Sequence, residues 1–421
     1  MKVLATLLLL CFPSIALAFH AGTACDGCHT SHNSQAGQGM TVNALPAGVA
    51  NPYLLIGRDA SATCLGCHER RGASAPDGYL VSTSDADMPA GTPPAQLTPG
   101  GDFGWLKKNY SWTSGTGVLM ASAGESHGHN IIAPDYGYVM DTTLSQAPGG
   151  SYPASALQCT SCHDPHNLYR ILSDGSESVG GLPIGELGSS GAAPTTQSAV
   201  GSYRMLGGAG YTVKANPGFA FINKSPAAVS PADYNRPESS AQTRVAYGSG
   251  MSEWCANCHP QFLRDANDTS STHFHKASIN ATLGLEIAAA YTNYVKNSGD
   301  PPYLSLVPFE TGDKNDAAGR AAMSALAKND DTRLDGPSAT SNVECLTCHR
   351  AHATGWDNSL RWNQKSDYIV YQGLYPGIDT GAPVDYSEGR TSVETSKAYY
   401  DKPAASYVSS NQGPLCHKCH T

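Results

Sequence analysis

The sequence predicts a mostly irregular coil with a few short α-helices and almost no β structure. Its 421 residues include 44 Gly and 27 Pro, about a sixth of the chain against roughly an eighth in average proteins, and both residues interrupt helices and strands. Helical spacing of apolar residues is confined to 283–297 and 316–329. Alternating strand patterns are nearly absent, with Tyr368 to Tyr371 a weak exception, and 77–101 and 173–201 are predicted to be irregular connections.

One short motif, Cys-x-x-Cys-His, occurs six times in this chain and uses every cysteine except Cys11. Two thiols on one tight turn can form thioethers to two edges of a porphyrin, and the following histidine then meets the iron from one face. Each copy is therefore a predicted attachment site for one c-type haem, at the start of a further short helix. Numbered in chain order, motifs 1 to 6 are Cys25/Cys28/His29, Cys64/Cys67/His68, Cys159/Cys162/His163, Cys255/Cys258/His259, Cys345/Cys348/His349 and Cys416/Cys419/His420.

These predicted cofactors complete the fold-class prediction. Six large apolar macrocycles can supply the core that a chain rich in Gly and Pro does not build, so we expect a multihaem cytochrome c wrapped around a chain of six haems. Without haem we expect no stable fold, because cofactor binding and folding would be coupled. Zinc sites and disulfide frameworks also use paired cysteines. Neither requires a histidine directly after the second cysteine in all six pairs.

The first residues have the features of a secretory signal peptide. Lys2 precedes an apolar run that ends at a small-residue site, Ala16-Leu17-Ala18, so cleavage is expected after Ala18. Acylation at Cys11 is the alternative, but Leu10 is too bulky for the small-residue site that such processing needs. The sequence thus predicts a signal peptide at 1–18 and a single hexahaem cytochrome domain at 19–421.

Composition also restricts location and partners. No later segment has the eighteen or more uninterrupted apolar residues of a membrane span, so we expect no transmembrane segment. The formal net charge is −9, and no recurrent basic and aromatic surface favours nucleic acid as a partner. The expected protein is exported through the periplasm and secreted, either extracellular or on the outer cell surface.

Each iron needs a second axial ligand or an open position, and nine histidines remain outside the motif positions. Three of them, His32, His166 and His352, stand three residues beyond a proximal ligand in a repeated Cys-x-x-Cys-His-x-x-His context. Because the proximal haem blocks the path to its own far face, we expect these imidazoles to reach a neighbouring iron. His417 lies between the cysteines of its own motif and is badly placed as a ligand.

The other candidates are His20 and at least one member of each close pair, His127/His129 and His273/His275. Six groups for six irons favour bis-histidine ligation throughout, with low potentials and no vacant position. Eight methionines at unpatterned positions do not favour methionine ligation. An iron with both axial positions filled cannot bind a small substrate without losing a ligand. The predicted task is therefore to pass electrons from haem to haem.

Over nearly the whole mature chain, the sequence resembles the OmcS-type hexahaem outer-surface cytochromes of metal-respiring bacteria. The resemblance extends well past the haem motifs. It is carried by the stretches CDGCHTSHNS at 25–34, DMPAGT at 87–92, TPGGDFGW at 98–105, GHN at 128–130, RVAYGSGMSEWCANCH at 244–259 and CLTCHRAHA at 345–353.

This resemblance implies an extracellular filament whose haems run continuously through successive subunits. It also implies that His32 completes the iron held by His349 of the adjacent subunit, and it selects His129 over His127 and His275 over His273. The segment 260–272 departs from the family pattern. The distal candidates are then His20, His32, His129, His166, His275 and His352.

We weigh three functions. The first is a filament that carries electrons to other cytochromes, to partner cells or to external acceptors such as metal oxides. The second is a discrete periplasmic or cell-surface carrier that does not polymerise. The third is a multihaem reductase, which needs a five-coordinate iron and often has a lysine in place of a motif histidine. None of the six motifs has that lysine, so we expect an electron-transfer protein rather than an enzyme.

Overall fold

The computed structural model describes most of the chain. The predicted signal peptide at 1–18, Cys11, His20, His32 and His273 lie outside the described residues. The described residues are 25–30, 34–35, 38–39, 53–70, 79–186, 188–189, 191–231, 242–263, 275–294, 301–404 and 413–420.

Helices are short and scattered. The two longest have ten residues, so no helix in the described ranges could cross a bilayer. The α-helices are α1 (Ala60–His68), α2 (Met251–Cys255), α3 (Gly284–Asn293), α4 (Ala317–Leu326), α5 (Cys345–Cys348), α6 (Val384–Ser387) and α7 (Ser392–Ala398). Single 3₁₀ turns span Cys25–Gly27, Asp85–Asp87, Phe103–Lys107, Gly124–His127, Pro134–Tyr136, Ala154–Ala156, Cys159–Ser161, Tyr203–Met205, Pro260–Phe262, Asp357–Ser359 and Leu415–Lys418.

Strands of two to five residues form small separate sheets. The strands are β1 (Ser34–Gln35), β2 (Gln38–Gly39), β3 (Glu69–Arg70), β4 (Ser82–Thr83), β5 (Tyr110–Thr113), β6 (Leu119–Ser122), β7 (Tyr169–Ile171), β8 (Glu177–Val179), β9 (Ile184–Glu186), β10 (Ala199–Gly201), β11 (Thr212–Val213), β12 (Asn216–Ala220), β13 (Ala228–Val229) and β14 (Ala246–Tyr247). One sheet has four strands in the order β8-β7-β10-β9, in which β9 and β10 are parallel. The others are two-stranded, and only β3 and β4 among them pair in parallel.

The predicted fold class is confirmed, because the chain is mostly coil with few helices and small sheets. Both predicted helices form. The second is α4, whose first turn is capped where the Asp316 carboxylate accepts from the Gly319 N–H at 2.8 Å. Its inner face buries Arg320 and Met323.

Three local predictions are wrong. Both segments predicted to be irregular contain strands, since β4 lies in 77–101 and β8, β9 and β10 lie in 173–201. Tyr371 makes a single bridge to Leu374, and 368–371 is not a strand. Motif 2 ends α1 and motif 4 begins at the last residue of α2, so these two motifs close a helix instead of starting one.

The hydrophobic core is divided into several clusters, and most of them border haem motifs. The largest contains Trp105, Trp356 and Tyr399, and Cys348 and Cys419 pack against it. Smaller clusters border Cys159, Cys162 and Cys258. Apolar side chains therefore gather around the motif cysteines rather than in one central core.

Candidate haem sites

Each motif forms one helical turn that fixes both thiols and the imidazole. In motifs 1, 3, 4, 5 and 6 the histidine N–H donates to the carbonyl of the first cysteine at 2.9–3.0 Å. Motif 2 lies within α1 and has the same local geometry. None of the twelve described cysteines forms a disulfide. The described residues also contain no group of three or more His, Cys, Asp or Glu that could hold a metal ion unaided, so neither alternative use of the cysteines is observed in them.

The motifs follow one another in space in the order of the chain, and two kinds of thiol interaction alternate along it. The first kind joins the second cysteine of an odd motif to the second cysteine of the next motif. Burial raises the pKa of the odd-motif thiol, and the neighbouring thiol raises it further. These electrostatic pairs are Cys28–Cys67, Cys162–Cys258 and Cys348–Cys419.

The second kind of interaction is a hydrogen bond between the first cysteines of two motifs. It links motif 2 to motif 3 and motif 4 to motif 5. A hydrogen bond with Cys159 is the largest cause that raises the pKa of Cys64, and Cys345 acts in the same way on Cys255. A serine hydroxyl adds a second bond at each place. Ser61 Oγ accepts from the Cys159 N–H at 3.1 Å, and Ser252 Oγ accepts from the Cys345 N–H at 3.0 Å.

The proximal imidazoles are held in one tautomer. In five motifs the Nδ1 atom lies 2.5–2.8 Å from a backbone carbonyl oxygen. Nδ1 must carry the proton to donate there, which leaves the Nε2 lone pair free for a metal. The pairs of imidazole and carbonyl residue are His29–Tyr53, His68–Tyr79, His163–Arg204, His259–Pro148 and His349–Asn358.

Four proximal imidazoles face a second imidazole from a distant part of the chain. With metal–nitrogen bonds of about 2 Å, as for histidine on other first-row metals, two axial imidazoles on one iron have ring centroids about 6 Å apart. The observed separations match this span. They are 6.4 Å for His29 and His166, 6.4 Å for His163 and His352, 6.0 Å for His259 and His129, and 5.8 Å for His420 and His275.

Burial keeps two of these second imidazoles neutral, which is the form that binds a metal. Burial lowers the pKa of His129 to about 4, and nearby His259 lowers it further. Burial likewise lowers the pKa of His352 to about 3, with His163 as the next cause. The Nδ1 of His129 also lies 2.7 Å from the Ala351 carbonyl. The neutral charge state and the ring spacing of both histidines, together with the tautomer of His129, fit an axial ligand of haem iron.

Close backbone approaches position His129 and His352 together. The His352 N–H donates to the Gly100 carbonyl at 2.7 Å, and the His129 N–H donates to the His352 carbonyl at 2.9 Å. A Cβ atom at Gly128 would lie 2.1 Å from the His352 carbonyl oxygen, and one at Gly101, where φ is +96°, would lie 1.9 Å from the Ala353 carbonyl oxygen. Only glycine permits these approaches.

The structure thus brings together four predicted proximal and four predicted distal histidines. The proximal histidines His68 and His349 are not among these four pairs. The predicted distal histidines His20 and His32 are not among them either, and they lie outside the described residues. His127 is fully buried and bonds to Ser122 and to the Trp105 carbonyl. Sequence reasoning missed Ser61, Ser252 and the five carbonyls that orient the proximal rings, because nothing in the sequence marks a backbone acceptor or an isolated serine.

Comparisons with known proteins identify the family, although no family model matches the chain. The chain is 47% identical over 433 aligned positions to the c-type cytochrome OmcS of Geobacter sulfurreducens, with 100% of this chain and 98% of that protein covered. Two solved structures, described as OmcS nanowires and as an outer membrane cytochrome S filament, both from Geobacter sulfurreducens, match with a TM-score of 0.85 and 46% identity. They cover 94% of this chain and 98% of theirs. Haem attachment motifs, imidazole pairs and full-length similarity all lead to one conclusion: the chain belongs to the OmcS family of c-type cytochromes.

Proposed function

We propose that this protein is a six-haem, bis-histidine cytochrome that polymerises into an extracellular filament and carries electrons along a continuous line of haems. The observation that carries the proposal is the set of four imidazole pairs on motifs that follow one another in chain order. Haem supplies a one-electron iron couple whose potential depends on its axial ligands. The protein supplies the spacing, the ligands and the exclusion of other ligands.

The distal histidines follow two simple rules. An odd motif supplies its extra histidine to the odd motif before it. His166 of motif 3 faces His29 of motif 1, and His352 of motif 5 faces His163 of motif 3. Continued by one step, this rule sends the extra histidine of motif 1, His32, to motif 5 of a preceding copy of the chain. The regularity supports His32 as the ligand that completes the His349 haem across a subunit boundary.

The second rule concerns the even motifs. His129 stands between motifs 2 and 3 and faces His259 of motif 4, and His275 stands between motifs 4 and 5 and faces His420 of motif 6. Continued by one step toward the start of the chain, this rule assigns His20, which precedes motif 1, to His68 of motif 2. The two rules together assign six distal histidines to six motifs with none left over.

Filled axial positions determine the chemistry. The second imidazoles exclude water and small substrates from the iron, so electrons leave by outer-sphere transfer to a partner in contact with the protein. The filament is supported by the OmcS relatives, whose structures are described as nanowires and as a filament. The extracellular location and acceptors such as metal oxides or partner cells are part of our proposal. The partial burial of nine of the twelve motif thiols is compatible with haems that lie along the interior of such a filament.

Cryo-electron microscopy of the secreted protein tests the proposal. The expected result is fibres of uniform width with haem density that continues across subunit boundaries. A stable monomer with six haems would instead favour the discrete carrier. A high-spin signal in the oxidised wild-type filament would contradict ligation by two histidines throughout and would favour a reductase.

A further inference from the structure

Two junctions inside the chain are built in the same way. At each one, a serine three residues before the first cysteine of an even motif accepts a hydrogen bond from the N–H of the first cysteine of the next motif. Ser61 serves Cys159 at 3.1 Å, and Ser252 serves Cys345 at 3.0 Å. Both serines are buried, with exposed fractions of 0% and 1%. The same contact therefore occurs twice, between motifs 2 and 3 and between motifs 4 and 5.

The motif that receives the bond is also built alike in both places. In motif 3, Ser161 Oγ accepts from the Gln158 N–H at 2.9 Å. In motif 5, Thr347 Oγ1 accepts from the Glu344 N–H at 3.1 Å. In both motifs, the hydroxyl between the two cysteines accepts from the N–H of the residue just before the first cysteine. The serine of the preceding motif accepts from the N–H of the first cysteine itself. These are the donors that a helical turn leaves without an internal partner.

The two ends of the chain lack both hydroxyls. Gly413 occupies the position three residues before Cys416 in motif 6, where Ser61 and Ser252 stand in motifs 2 and 4. Gly27 occupies the position in motif 1 that Ser161 and Thr347 occupy in motifs 3 and 5. Cys25 and Cys416 are also classed as exposed, whereas the first cysteines at both internal junctions are partly buried. The two ends of the chain therefore carry the cysteines of a third junction, but they lack the serine and the hydroxyl that are found at the two internal junctions.

We propose that Ser61 and Ser252 are positioning residues that fix the contact between adjacent haem sites within one chain, and that the junction between Cys416 of one copy and Cys25 of the next, which follows from the proposed filament, lacks this hydrogen bond. The internal contacts are then held permanently by a buried bond. The contact between copies would have the same register but would lack this bond.

A variant that restores the missing hydroxyl tests the boundary. A Cβ atom at Gly413 would lie 2.9 Å from Nδ1 of His417, so the serine is introduced as Gly413→Ser together with His417→Ala, and His417→Ala alone is the control. We expect filaments of the double variant to dissociate with a constant about fivefold lower, which is the effect of one added net hydrogen bond. A dissociation constant equal to that of the control would overturn the assignment of Cys25 and Cys416 to one junction.

The positioning role of Ser61 and Ser252 is tested in the haem-loaded protein by the Soret circular dichroism couplet, which reports the mutual orientation of adjacent haems. Ser61→Ala and Ser252→Ala should each reduce the couplet, and Ser61→Thr, which keeps the hydroxyl, should restore it. Ser324→Ala, in α4, is the matched control. An unchanged couplet in both alanine variants would overturn the positioning role. Failure of the wild-type protein to form filaments would instead contradict the proposed filament, and the couplet measurement would still decide the role of Ser61 and Ser252.

Discussion

His29 and His166 stand face to face, with ring centroids 6.4 Å apart and ring planes 7° from parallel. His29 belongs to motif 1, and His166 lies just after motif 3. The gap between the extra histidine of one motif and the proximal histidine of another is therefore the space that a haem would fill. This relationship makes the ligand pairing testable one histidine at a time.

Replacement of His166 by alanine should leave one iron without its second axial ligand. We expect His166→Ala to attach all its haems and to show a single new high-spin haem, assigned to motif 1 because His166 faces His29. Electron paramagnetic resonance of the oxidised protein measures this. His417→Ala, which changes a histidine inside a motif, should remain fully low-spin. An unchanged spectrum in His166→Ala would remove it from the ligand set.

Replacement of His32 should act on assembly rather than on haem attachment. The equivalent positions after motifs 3 and 5 serve a motif of the same chain, but His32 has no earlier odd motif in its own chain to serve. We expect His32→Ala to carry a full set of haems and to form no filaments, as measured by pyridine haemochrome analysis and electron microscopy. His166→Ala is the comparison, because it should still assemble. Normal filaments from His32→Ala would refute ligation between subunits.

Two histidines only two residues apart should give opposite phenotypes. His127 is buried and bonds to Ser122 Oγ at 2.8 Å and to the Trp105 carbonyl at 3.0 Å, whereas His129 faces His259. His127→Leu should lower the free energy of unfolding by about 1–3 kcal/mol, because buried polar groups lose their partners, and should keep every haem low-spin. His129→Leu should produce a high-spin haem. A high-spin signal in His127→Leu would show that the wrong member of the pair had been chosen.

Stability should fall as pH rises through the titration of Glu310. This side chain is fully buried and accepts from the Met251 N–H at 2.8 Å, and burial raises its pKa to about 8 from 4.5. The folded state therefore binds a proton that the unfolded state releases, so the cost of folding grows between pH 4.5 and 8 and amounts to a few kcal/mol at the upper end.

Glu310→Gln keeps the acceptor and removes the charge, so its free energy of unfolding should be higher than that of the wild type at pH 8 and similar at pH 4.5. Denaturant unfolding of the haem-loaded protein at both pH values measures this difference. Glu394→Gln is the matched control, because Glu394 is also buried but accepts from Thr391 at two positions. An equal gain at both pH values would contradict the assigned titration.

Local and compositional signals predicted the most. The motifs specify their own turns through bonds between residues four apart, and the helices at 284–293 and 317–326 follow from apolar spacing. The four-stranded sheet was missed because its strands have only three residues each, too few for an alternating pattern to be recognised. In such short strands, pairing with the adjacent strands determines the extended conformation more than the preferences of their own residues do.

The candidate site divides in the same way. A Cys-x-x-Cys-His motif identifies the thiols and the proximal imidazole, and the position three residues later identifies His166 and His352 as candidates. Which motif each of them faces is not a local property, because His352 reaches His163 through the packing of Gly100, Gly128 and Ala353. The choice of His275 required a family resemblance, and its ring lies 5.8 Å from that of His420.

The alternating thiol interactions relate each motif to the next one along the chain, and among the described residues they form a line without a branch. Redox centres in such a line are connected in series and offer no detour. One motif left empty would divide a filament into two electrically separate lengths, however many intact copies lie on either side.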